Sequence, residues 1–428
     1  MTLTPNKPET TPITEAQQEF NWRNYWYPVT FTQDLPKNRP YGFTLYDEAL
    51  VLFRNSEGQL VCLRDLCPHR AAKLSDGQII DGKIECLYHG WQFGSEGECL
   101  HIPQLPEDAK IPANSCVKSY QVVECQGMIW MWAGESKDAS EELIPTLPDL
   151  DKPEFVRQDF ILDLPYDRTY LFENLTDPAH VPISHHGTRG GGDRKNAQPL
   201  EMEILESSIQ GIRARYRGMR KANPNWGNIS FVAPNLVVFS SYIEERGWSF
   251  GLALYSIPMG QGRCRLLSRG YRNFLTWGVK LRPRWLDHLN TNKILEQDLP
   301  LIAGQQAQIE RIGQTLEELY LPLKTSDLLV VEYRKWLDKF GSSLPYYQGY
   351  STSKVAENNA DRPSQLPTRA DRHLKICSSC NRAYKVTNRV KQISIGVAIA
   401  LFALATLADE SKIKIVAVSI SLLAIATA

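Results

Sequence analysis

The chain has 428 residues, which is enough for two or three domains. Its 48 Lys and Arg balance its 48 Asp and Glu, and this argues against a general nucleic-acid binder, which needs a basic surface. A hydrophobic content of 43% excludes wholesale disorder. Nine scattered cysteines, an odd number, exclude a disulfide scaffold and indicate a reducing compartment.

The first half of the chain is predicted to begin with a disordered segment and continue as an all-β domain. Residues 1–19 are polar, and we expect neither a secretory signal nor a transit peptide there. Residues 20–133 contain short apolar or alternating runs separated by Gly, Asn and Asp, the pattern of a small β-domain. The acidic residues 134–153 are predicted to be a linker.

Residues 154–345 are predicted to form a second domain with an α+β fold. A helical pattern around 170–186 precedes the strand candidates, which are 202–216, 229–243, 249–257 and 263–271. Further helical patterns cover 290–321 and 327–340. Strands followed by helices predict an antiparallel sheet with helices packed on it.

The C-terminal part of the chain is predicted to be a linker followed by a membrane hairpin. Residues 346–392 form the linker, and the apolar segments are 393–408 and 413–428. As a helix, each segment is shorter than the thickness of a membrane's hydrocarbon core, which is about 30 Å. Lys and Arg without acidic neighbours precede them, so we expect the globular domains on the cytoplasmic side. Two Ala-rich helices buried in a soluble bundle are the alternative.

A first group of metal ligands lies in two short motifs, Cys67-Pro-His69 and Cys86-Leu-Tyr-His89. Two thiolates can bind one iron of a [2Fe–2S] cluster and two imidazoles the other, which is the arrangement of a Rieske centre. The alternative is a Cys₂His₂ zinc site, but zinc fingers pair like ligands, whereas each motif here mixes Cys with His. The pattern therefore predicts a Rieske [2Fe–2S] cluster.

A second group of polar residues, Asp177, His180 and His185, predicts a mononuclear iron site. Two histidines on neighbouring turns can bind one face of a metal, and a distant carboxylate would complete the facial triad of a non-haem Fe(II) site. His186 is the rival of His185, although the spacing favours His185. Prolines at 178 and 182 predict that the helix is interrupted here.

Both motifs together resemble those of Rieske non-haem iron oxygenases, over about residues 20–345. The finer resemblance is to the pheophorbide a oxygenase and chlorophyllide a oxygenase group and its plastid-envelope relatives. The motifs that carry it are Trp26-Tyr27-Pro28, Cys67-Pro-His-Arg70, Leu74-Ser-Asp-Gly77, Tyr88-His-Gly-Trp91, Asn174-Leu-Thr-Asp-Pro-Ala-His-Val-Pro182, His185-His-Gly-Thr188 and Cys377-Ser-Ser-Cys380. Because no transit peptide is recognised, the chain looks like a cyanobacterial-type member.

The resemblance implies how the two centres communicate. Asp177 matches a bridging carboxylate, and the family forms trimers in which one subunit's cluster lies beside the neighbour's iron. Asp177 would then hydrogen-bond a cluster histidine across that interface and His180 within its own subunit. The resemblance implies that the cluster ligands are Cys67, His69, Cys86 and His89. It implies that His180 and His185 are ligands of the mononuclear iron.

The third iron ligand must come from further along the chain. Asp298 is favoured, because the pair Gln297-Asp298 resembles the family's pattern. Asp327 is the runner-up, and its alternative role is to cap the following helix.

By resemblance, the chain is an enzyme that uses O₂ and electrons from a ferredoxin-like donor to oxidise a C–H or C=C bond. The implied substrate is a hydrophobic chlorophyll-type tetrapyrrole, such as pheophorbide a or chlorophyllide a, at a thylakoid or plasma membrane. Gly190-Gly-Gly192 lacks the spacing of a dinucleotide loop, so the electrons must come from a separate protein. The alternatives are a membrane-bound Rieske electron carrier or redox sensor, and an oxygenase of a non-tetrapyrrole substrate.

Two further features have open interpretations. Aromatic residues on the strand candidates either line a large flat pocket or belong to the sheet core: Phe231, Phe239, Tyr242, Trp248 and Phe250. Cys377 and Cys380 are either a redox-regulatory pair, as the resemblance supports, or inert thiols. A metal site with His373 would lack a fourth ligand.

Overall fold

The computed structural model describes residues 20–220, 225–352, 366–407 and 411–427. The predicted disordered segment, residues 1–19, lies outside the described residues. Residues 408 and 428, the predicted last residues of the two apolar segments, lie outside them as well.

The N-terminal β-region consists of short antiparallel strands in three sheets, as an all-β domain requires. Its strands are β1 (Trp26–Phe31), β2 (Tyr41–Leu45), β3 (Glu48–Arg54), β4 (Leu60–Arg64), β5 (Gln78–Ile80), β6 (Lys83–Glu85), β7 (Gln92–Phe93), β8 (Cys99–His101), β9 (Ser119–Tyr120), β10 (Val122–Cys125) and β11 (Met128–Trp132). The sheet orders are β1-β11-β10, β2-β3-β4-β9 and β5-β6-β7-β8. One predicted cluster loop lies between β4 and β5, and the other joins β6 to β7.

A large antiparallel sheet forms the centre of the second region, as predicted. Its strands are β12 (Val156–Leu164), β13 (Leu200–Ser208), β14 (Gly211–Gly218), β15 (Gly227–Val232), β16 (Leu236–Ile243), β17 (Trp248–Gly260) and β18 (Arg263–Arg272). Their order is β12-β18-β17-β16-β15-β14-β13. Strand β12 pairs with β18 on one side, so its other edge is free to meet groups from outside the sheet.

Two of the strand candidates were wrong as single strands, because each is a hairpin. The segment 202–216 divides into β13 and β14, and the second strand begins at Gly211, whose φ is +134°. A Cβ at Gly211 would lie 2.0 Å from the carbonyl oxygen of Phe231, so only glycine fits this turn. The segment 229–243 divides into β15 and β16 around Pro234, which has no N–H for a ladder.

The helices are α1 (Arg168–Leu175), α2 (Val181–Ser184), α3 (Thr276–Leu281), α4 (Arg284–Ile312), α5 (Leu316–Leu319), α6 (Leu328–Phe340), α7 (Ser378–Leu407) and α8 (Ser411–Thr427). The predicted interruption between 170 and 186 is confirmed, since α1 ends before Asp177 and α2 begins after His180. The helical pattern predicted over 290–321 corresponds to two helices, α4 and α5. Helix α4 ends at Ile312, because Gly313 adopts the left-handed conformation and its N–H bonds Ile309 O.

One hydrophobic core joins the N-terminal sheets to the central sheet. Buried Trp26, Trp130 and Trp132 belong to the same cluster of contacts as Tyr255 and Leu267 of β17 and β18. The face of the central sheet towards α1 and α6 buries a second cluster that includes Phe172 and Trp336. The two regions are therefore held together by apolar burial, which is the main favourable contribution to folding. The predicted domain boundaries remain predictions.

Helix α7 leaves this core and exposes apolar side chains along its second half. Ile393, Phe402 and Leu407 are 61–82% exposed, whereas Ala398 and Ala405 are buried. By length and composition α7 can cross a membrane, and it is the one helix of the described residues that meets this criterion. It begins at Ser378, inside the segment predicted as a linker. Helix α8 packs on α7, and Ser421 Oγ donates to Ala398 O at 2.8 Å.

Candidate active site

The two predicted cluster loops have the same backbone design. In each loop, the amide of the fourth residue after the cysteine donates to the cysteine carbonyl: Ala71 to Cys67 at 2.9 Å and Gly90 to Cys86 at 2.8 Å. Both donors have positive φ, 57° at Ala71 and 78° at Gly90. Both loops therefore contain the same type of turn. Each turn begins with the cysteine, and the histidine follows two residues later in the first loop and three residues later in the second.

The loops bury their thiols and leave their imidazoles near the surface. Cys67 and Cys86 are 2% and 1% exposed, whereas His69 is exposed. The rings of His69 and His89 lie 4.4 Å apart, and His69 stacks on Trp91 at 4.6 Å. Burial, with a contribution from neighbouring Cys86, raises the pKa of the Cys67 thiol to about 11. A bound cation would stabilise the thiolate that burial disfavours.

His180, His185 and Asp298 converge on one point between α2 and α4. Asp298 Oδ2 lies 3.2 Å from His185 Nε2 and 3.9 Å from His180 Nε2. His185 and Asp298 are each 4% exposed, and His180 is partly buried. The interrupted helix makes this convergence possible, because the Asp177–His180 turn points the first histidine towards the second.

The hydrogen bonds of the two histidines leave the acceptor atoms of this group directed at one another. His180 donates its Nδ1–H to Asp177 O at 2.5 Å, and His185 donates its Nδ1–H to Gln297 Oε1 at 3.1 Å. A neutral imidazole has one N–H, so both Nε2 atoms are left as acceptors that face a carboxylate. Asp298 Oδ1 is buried without a hydrogen-bond partner. Three convergent acceptors fit a divalent metal, and two His with one carboxylate fit Fe(II).

Asp177 is not a member of this convergent group, but it holds the ring of His180 in place. Its Oδ1 accepts from Ala179 N–H at 2.8 Å, and its Oδ2 lies 3.6 Å from His180 Nδ1. Burial alone would lower the pKa of His180, but the hydrogen bond and charge of Asp177, together with the charge of Asp298, outweigh burial and raise it. Asp177 is partly exposed, so its carboxylate is accessible from outside the subunit.

The two rival ligands lie elsewhere. The carboxylate of Asp327 accepts from Leu323 N–H at 2.8 Å and from Ser326 Oγ at 2.6 Å. Asp327 is at the N-cap position of α6, but its side chain makes no capping bond there. His186 accepts from the backbone N–H of Arg194 at 3.2 Å, outside the convergent group. The geometry therefore favours Asp298 and His185.

Sequence reasoning missed the role of Gln297. Its amide oxygen accepts from His185, and its amide nitrogen donates to Thr188 Oγ1 at 2.9 Å. The side chain thus fixes the ring of His185 with Nε2 towards Asp298. The sequence does place Gln297 next to Asp298. However, the resemblance of this pair to the family's pattern predicted only that Asp298 is an iron ligand.

A cavity of about 1090 Å³ opens beside His180, His185 and Asp298. Its apolar wall comes from the central sheet and α4: Phe239, Phe250, Leu252, Leu254, Leu266, Ile294 and Leu295. Two of the five aromatic residues considered for a pocket, Phe239 and Phe250, line it. Phe231 belongs to the core, Tyr242 is exposed and Trp248 stacks on Phe274. The volume is slightly above the usual range for small-molecule pockets, which is about 300–1,000 Å³.

A separate buried group contains the cysteines of the Cys377-x₂-Cys380 motif. His373, expected nearby, is in contact with Cys380, and His288 from α4 is the fourth member. Sequence reasoning missed His288, which is 89 residues from Cys377 and has no local motif.

Comparisons with known proteins agree with this geometry. The family model of the Rieske [2Fe-2S] domain matches residues 25–121, and that of pheophorbide a oxygenase matches residues 231–315. The protein TIC 55, chloroplastic, of Pisum sativum is 38% identical over 426 residues, which cover 93% of this chain and 77% of the relative. Pheophorbide a oxygenase, chloroplastic, of Arabidopsis thaliana is 31% identical over 452 residues, covering 97% and 82%.

Among solved structures, dicamba monooxygenase bound to dicamba has a TM-score of 0.61. It is 24% identical, and the match covers 75% of this chain and 97% of that one. At this identity the likeness shows a shared fold, with a Rieske-type β-region joined to a central antiparallel sheet.

Proposed function

This chain belongs to the pheophorbide a oxygenase family of Rieske non-haem iron oxygenases, and from that premise we propose that its substrate is a chlorophyll-type tetrapyrrole. The protein is an oxygenase with a Rieske [2Fe–2S] cluster and a mononuclear iron. It uses O₂ and electrons from a donor such as ferredoxin. Pheophorbide a and chlorophyllide a are the substrates to test first.

In this proposal the ligand sets are those that the geometry brings together. Cys67, His69, Cys86 and His89 hold the cluster, and His180, His185 and Asp298 hold the mononuclear iron. Bound there, the iron supplies O₂ activation. The protein's own residues orient both imidazoles, His180 through Asp177 and His185 through Gln297, and place an apolar wall beside them.

The observation that carries the substrate proposal is the large cavity next to the mononuclear site. A flat macrocycle needs a wide pocket with apolar walls, and Phe239 and Phe250 offer aromatic faces there. The cavity includes both histidines and Asp298 in its lining, so a bound ring would lie against the iron site. One oxygen atom would enter the pigment and the other would leave as water, with two electrons supplied by the donor and two protons by the solvent.

We further propose that electrons cross between subunits of a homotrimer, through Asp177. The carboxylate of Asp177 is partly exposed, and strongly exposed Leu301, Leu321 and Leu323 occur in the nearby α4 and α5–α6 segments. The tip of the second cluster loop exposes Leu87 and Tyr88, each 60% accessible. Apolar residues around both centres fit an interface that brings a neighbour's cluster histidine to Asp177.

The C-terminal helices are proposed to anchor the protein in a membrane as a hairpin. The exposed apolar surface of α7 supports this, and so does the packing of α8 along it. The membrane is proposed to be a thylakoid or plasma membrane. Arg382, Lys385, Arg389 and Lys391 precede the apolar half of α7, which favours an orientation with the catalytic regions on the cytoplasmic side. In chloroplasts, where the named relatives occur, the corresponding side is the stroma.

The substrate proposal is tested with iron-loaded full-length protein in detergent. Reduced ferredoxin, ¹⁸O₂ and either pheophorbide a or chlorophyllide a are added, and the products are analysed by mass spectrometry. We expect one of the pigments to yield a product containing ¹⁸O, and His180→Ala to yield none. If neither pigment is oxidised nor changes the rate at which O₂ oxidises the reduced protein, the tetrapyrrole proposal is wrong.

A further inference from the structure

A second cluster of potential metal ligands is buried at the junction of the catalytic region and α7. His288 comes from α4 and His373 from the turn Ala370–Leu374, whereas Cys377 immediately precedes α7 and Cys380 lies in its first turn. Their exposed fractions are 3%, 1%, 1% and 8%. One ligand atom from each lies within 4.8 Å of all the others.

Three nitrogen–sulfur distances in this cluster are close to those of a tetrahedral site. His288 Nδ1 lies 3.4 Å from Cys377 Sγ and 3.3 Å from Cys380 Sγ, and His373 Nε2 lies 3.2 Å from Cys380 Sγ. With Zn–S bonds of about 2.3 Å and Zn–N bonds of about 2.0–2.1 Å, the edges of a tetrahedron are about 3.5 Å. The four ligand atoms are therefore close enough to share one ion.

Both histidines are oriented by carbonyl groups at the free edge of β12. His288 donates Nε2–H to Asp159 O at 2.8 Å, and His373 donates Nδ1–H to Ile161 O at 2.6 Å. Residues two apart in a strand direct their carbonyls to the same edge. Each histidine is left with one unprotonated nitrogen, and in both cases this is the nitrogen that faces the sulfurs.

The cluster is enclosed by protein. The ring of Phe160 stacks on His373 at 4.7 Å and meets His288 edge-on at 5.0 Å. A buried set of two thiolates and two imidazoles fills all four positions around one ion and leaves none for a substrate, which is the character of a structural zinc site. Two thiolates also balance the charge of Zn²⁺, so the buried site is neutral overall.

We propose that His288, His373, Cys377 and Cys380 bind one structural zinc ion, separate from the two iron centres. This assigns the Cys377-x₂-Cys380 motif to metal binding, in place of the redox-regulatory pair or inert thiols considered from the sequence. If the two cysteines formed a disulfide, both histidines would still point at the sulfur atoms, but the four side chains would have no ion to share. The zinc ion accounts for all four side chains and for both histidine orientations.

The zinc site ties the membrane-proximal end of α7 to the helix that carries an iron ligand. His288 precedes Asp298 by ten residues on α4, about 15 Å along the helix axis. A second tie lies beside the zinc site: Ser378 N–H donates to Asp34 Oδ1 at 2.8 Å, and Asp34 pairs with Arg284 at 2.9 Å. The site thus fixes where α7 leaves the catalytic region.

The test is elemental analysis of anaerobically purified full-length protein. We expect one zinc per chain in addition to the iron and sulfide of the other centres, and a zinc content near background in His288→Ala and in Cys380→Ser. The matched controls are Cys264→Ser, a buried cysteine outside the cluster, and His101→Ala, an exposed histidine. Both controls should retain zinc.

X-ray absorption at the zinc edge keeps the proposal testable if the variants do not fold. In the wild-type protein we expect two sulfur and two nitrogen ligands at the distances given above. The proposal is overturned by iron- and sulfide-loaded protein without zinc, by a Cys377–Cys380 disulfide in the native protein, by zinc bound only to nitrogen and oxygen, or by zinc retained in both variants.

Discussion

In each histidine of the two candidate metal sites without an iron–sulfur cluster, one ring nitrogen donates a hydrogen bond to the protein. The other ring nitrogen is thereby left to bind the metal. His180 and His185 donate Nδ1–H to Asp177 O and Gln297 Oε1, and so present Nε2. His288 donates Nε2–H to a backbone carbonyl and presents Nδ1, whereas His373 does the reverse. A partner on one nitrogen thus fixes the tautomer and the direction of the lone pair.

The assignment of the third iron ligand gives a prediction at the residue scale. In Asp298→Asn, the charged oxygen that faces both histidines is replaced by a neutral amide, and we expect the mononuclear iron and all turnover to be lost. In Asp327→Asn, which changes a carboxylate that bonds Leu323 and Ser326, we expect iron and turnover to remain. Nitric oxide added to the ferrous protein gives an EPR signal of the mononuclear site, and this measures the iron without a substrate.

The reverse result would contradict the assignment. If Asp298→Asn keeps the nitric oxide signal while Asp327→Asn loses it, Asp327 is the ligand. The EPR signal of the reduced cluster, which should be unchanged in both variants, controls for folding.

How far single residues could be predicted depends on sequence separation. The ligand pairs of each motif are two to five residues apart, so spacing alone predicted Cys67 with His69, and His180 with His185. Asp298 needed a resemblance, because nothing local relates it to the histidines. His288 could not be predicted from Cys377, since only the packing of α4 against α7 brings them together.

At the scale of elements, a buried ion pair locks α1 onto α6 beside the iron site. Arg334 is fully buried, and its Nε donates to Glu173 Oε2 at 2.6 Å. The other oxygen of Glu173 accepts from Gln305 Nε2 and Tyr320 OH, both at 2.9 Å. The carboxylate is therefore satisfied by three elements at once, and α1 leads directly into the Asp177–His180 turn.

Removal of one partner is expected to destabilise the protein strongly. Arg334→Met leaves Glu173 buried and without its cation, which costs about 3–5 kcal/mol in comparable sites. Arg213→Met removes an exposed partner of Glu206, which costs at most about 1 kcal/mol. We expect the thermal midpoint of Arg334→Met to fall by roughly 10 °C. Equal midpoints for the two variants would show that the buried pair does not hold α1 in place.

The pattern of residues predicted most elements, and its errors have physical causes. Alternating residues continue through a tight turn, so 202–216 looked like one strand although Gly211 begins a second one. Periodicity likewise continued past Ile312, where only the left-handed Gly313 ends the helix. The start of α7 at Ser378 was not predicted because polar and basic residues dominate its first half and were interpreted as a linker.

At the scale of the whole molecule, the trimer proposal predicts that two inactive variants can restore each other. Cys86→Ala lacks a cluster ligand and His180→Ala lacks an iron ligand, so each homotrimer should be inactive. In mixed trimers, an intact cluster of one subunit would face an intact iron site of its neighbour. We expect substrate oxidation in mixed oligomers isolated through two different affinity tags.

The control is a mixture of two differently tagged Cys86→Ala chains, which should stay inactive. If mixed oligomers of Cys86→Ala and His180→Ala are isolated and remain inactive, electrons do not cross between subunits and the role given to Asp177 is wrong.

The account depends most on the claim that one chain carries both a Rieske cluster and a mononuclear iron. Iron and acid-labile sulfide per chain test this directly, in anaerobically purified wild-type protein and His180→Ala, with EPR of the reduced cluster. We predict three irons and two sulfides in the wild type, and two irons, two sulfides and an unchanged cluster signal in the variant. Two irons and two sulfides in both proteins would contradict the account and indicate a Rieske electron carrier.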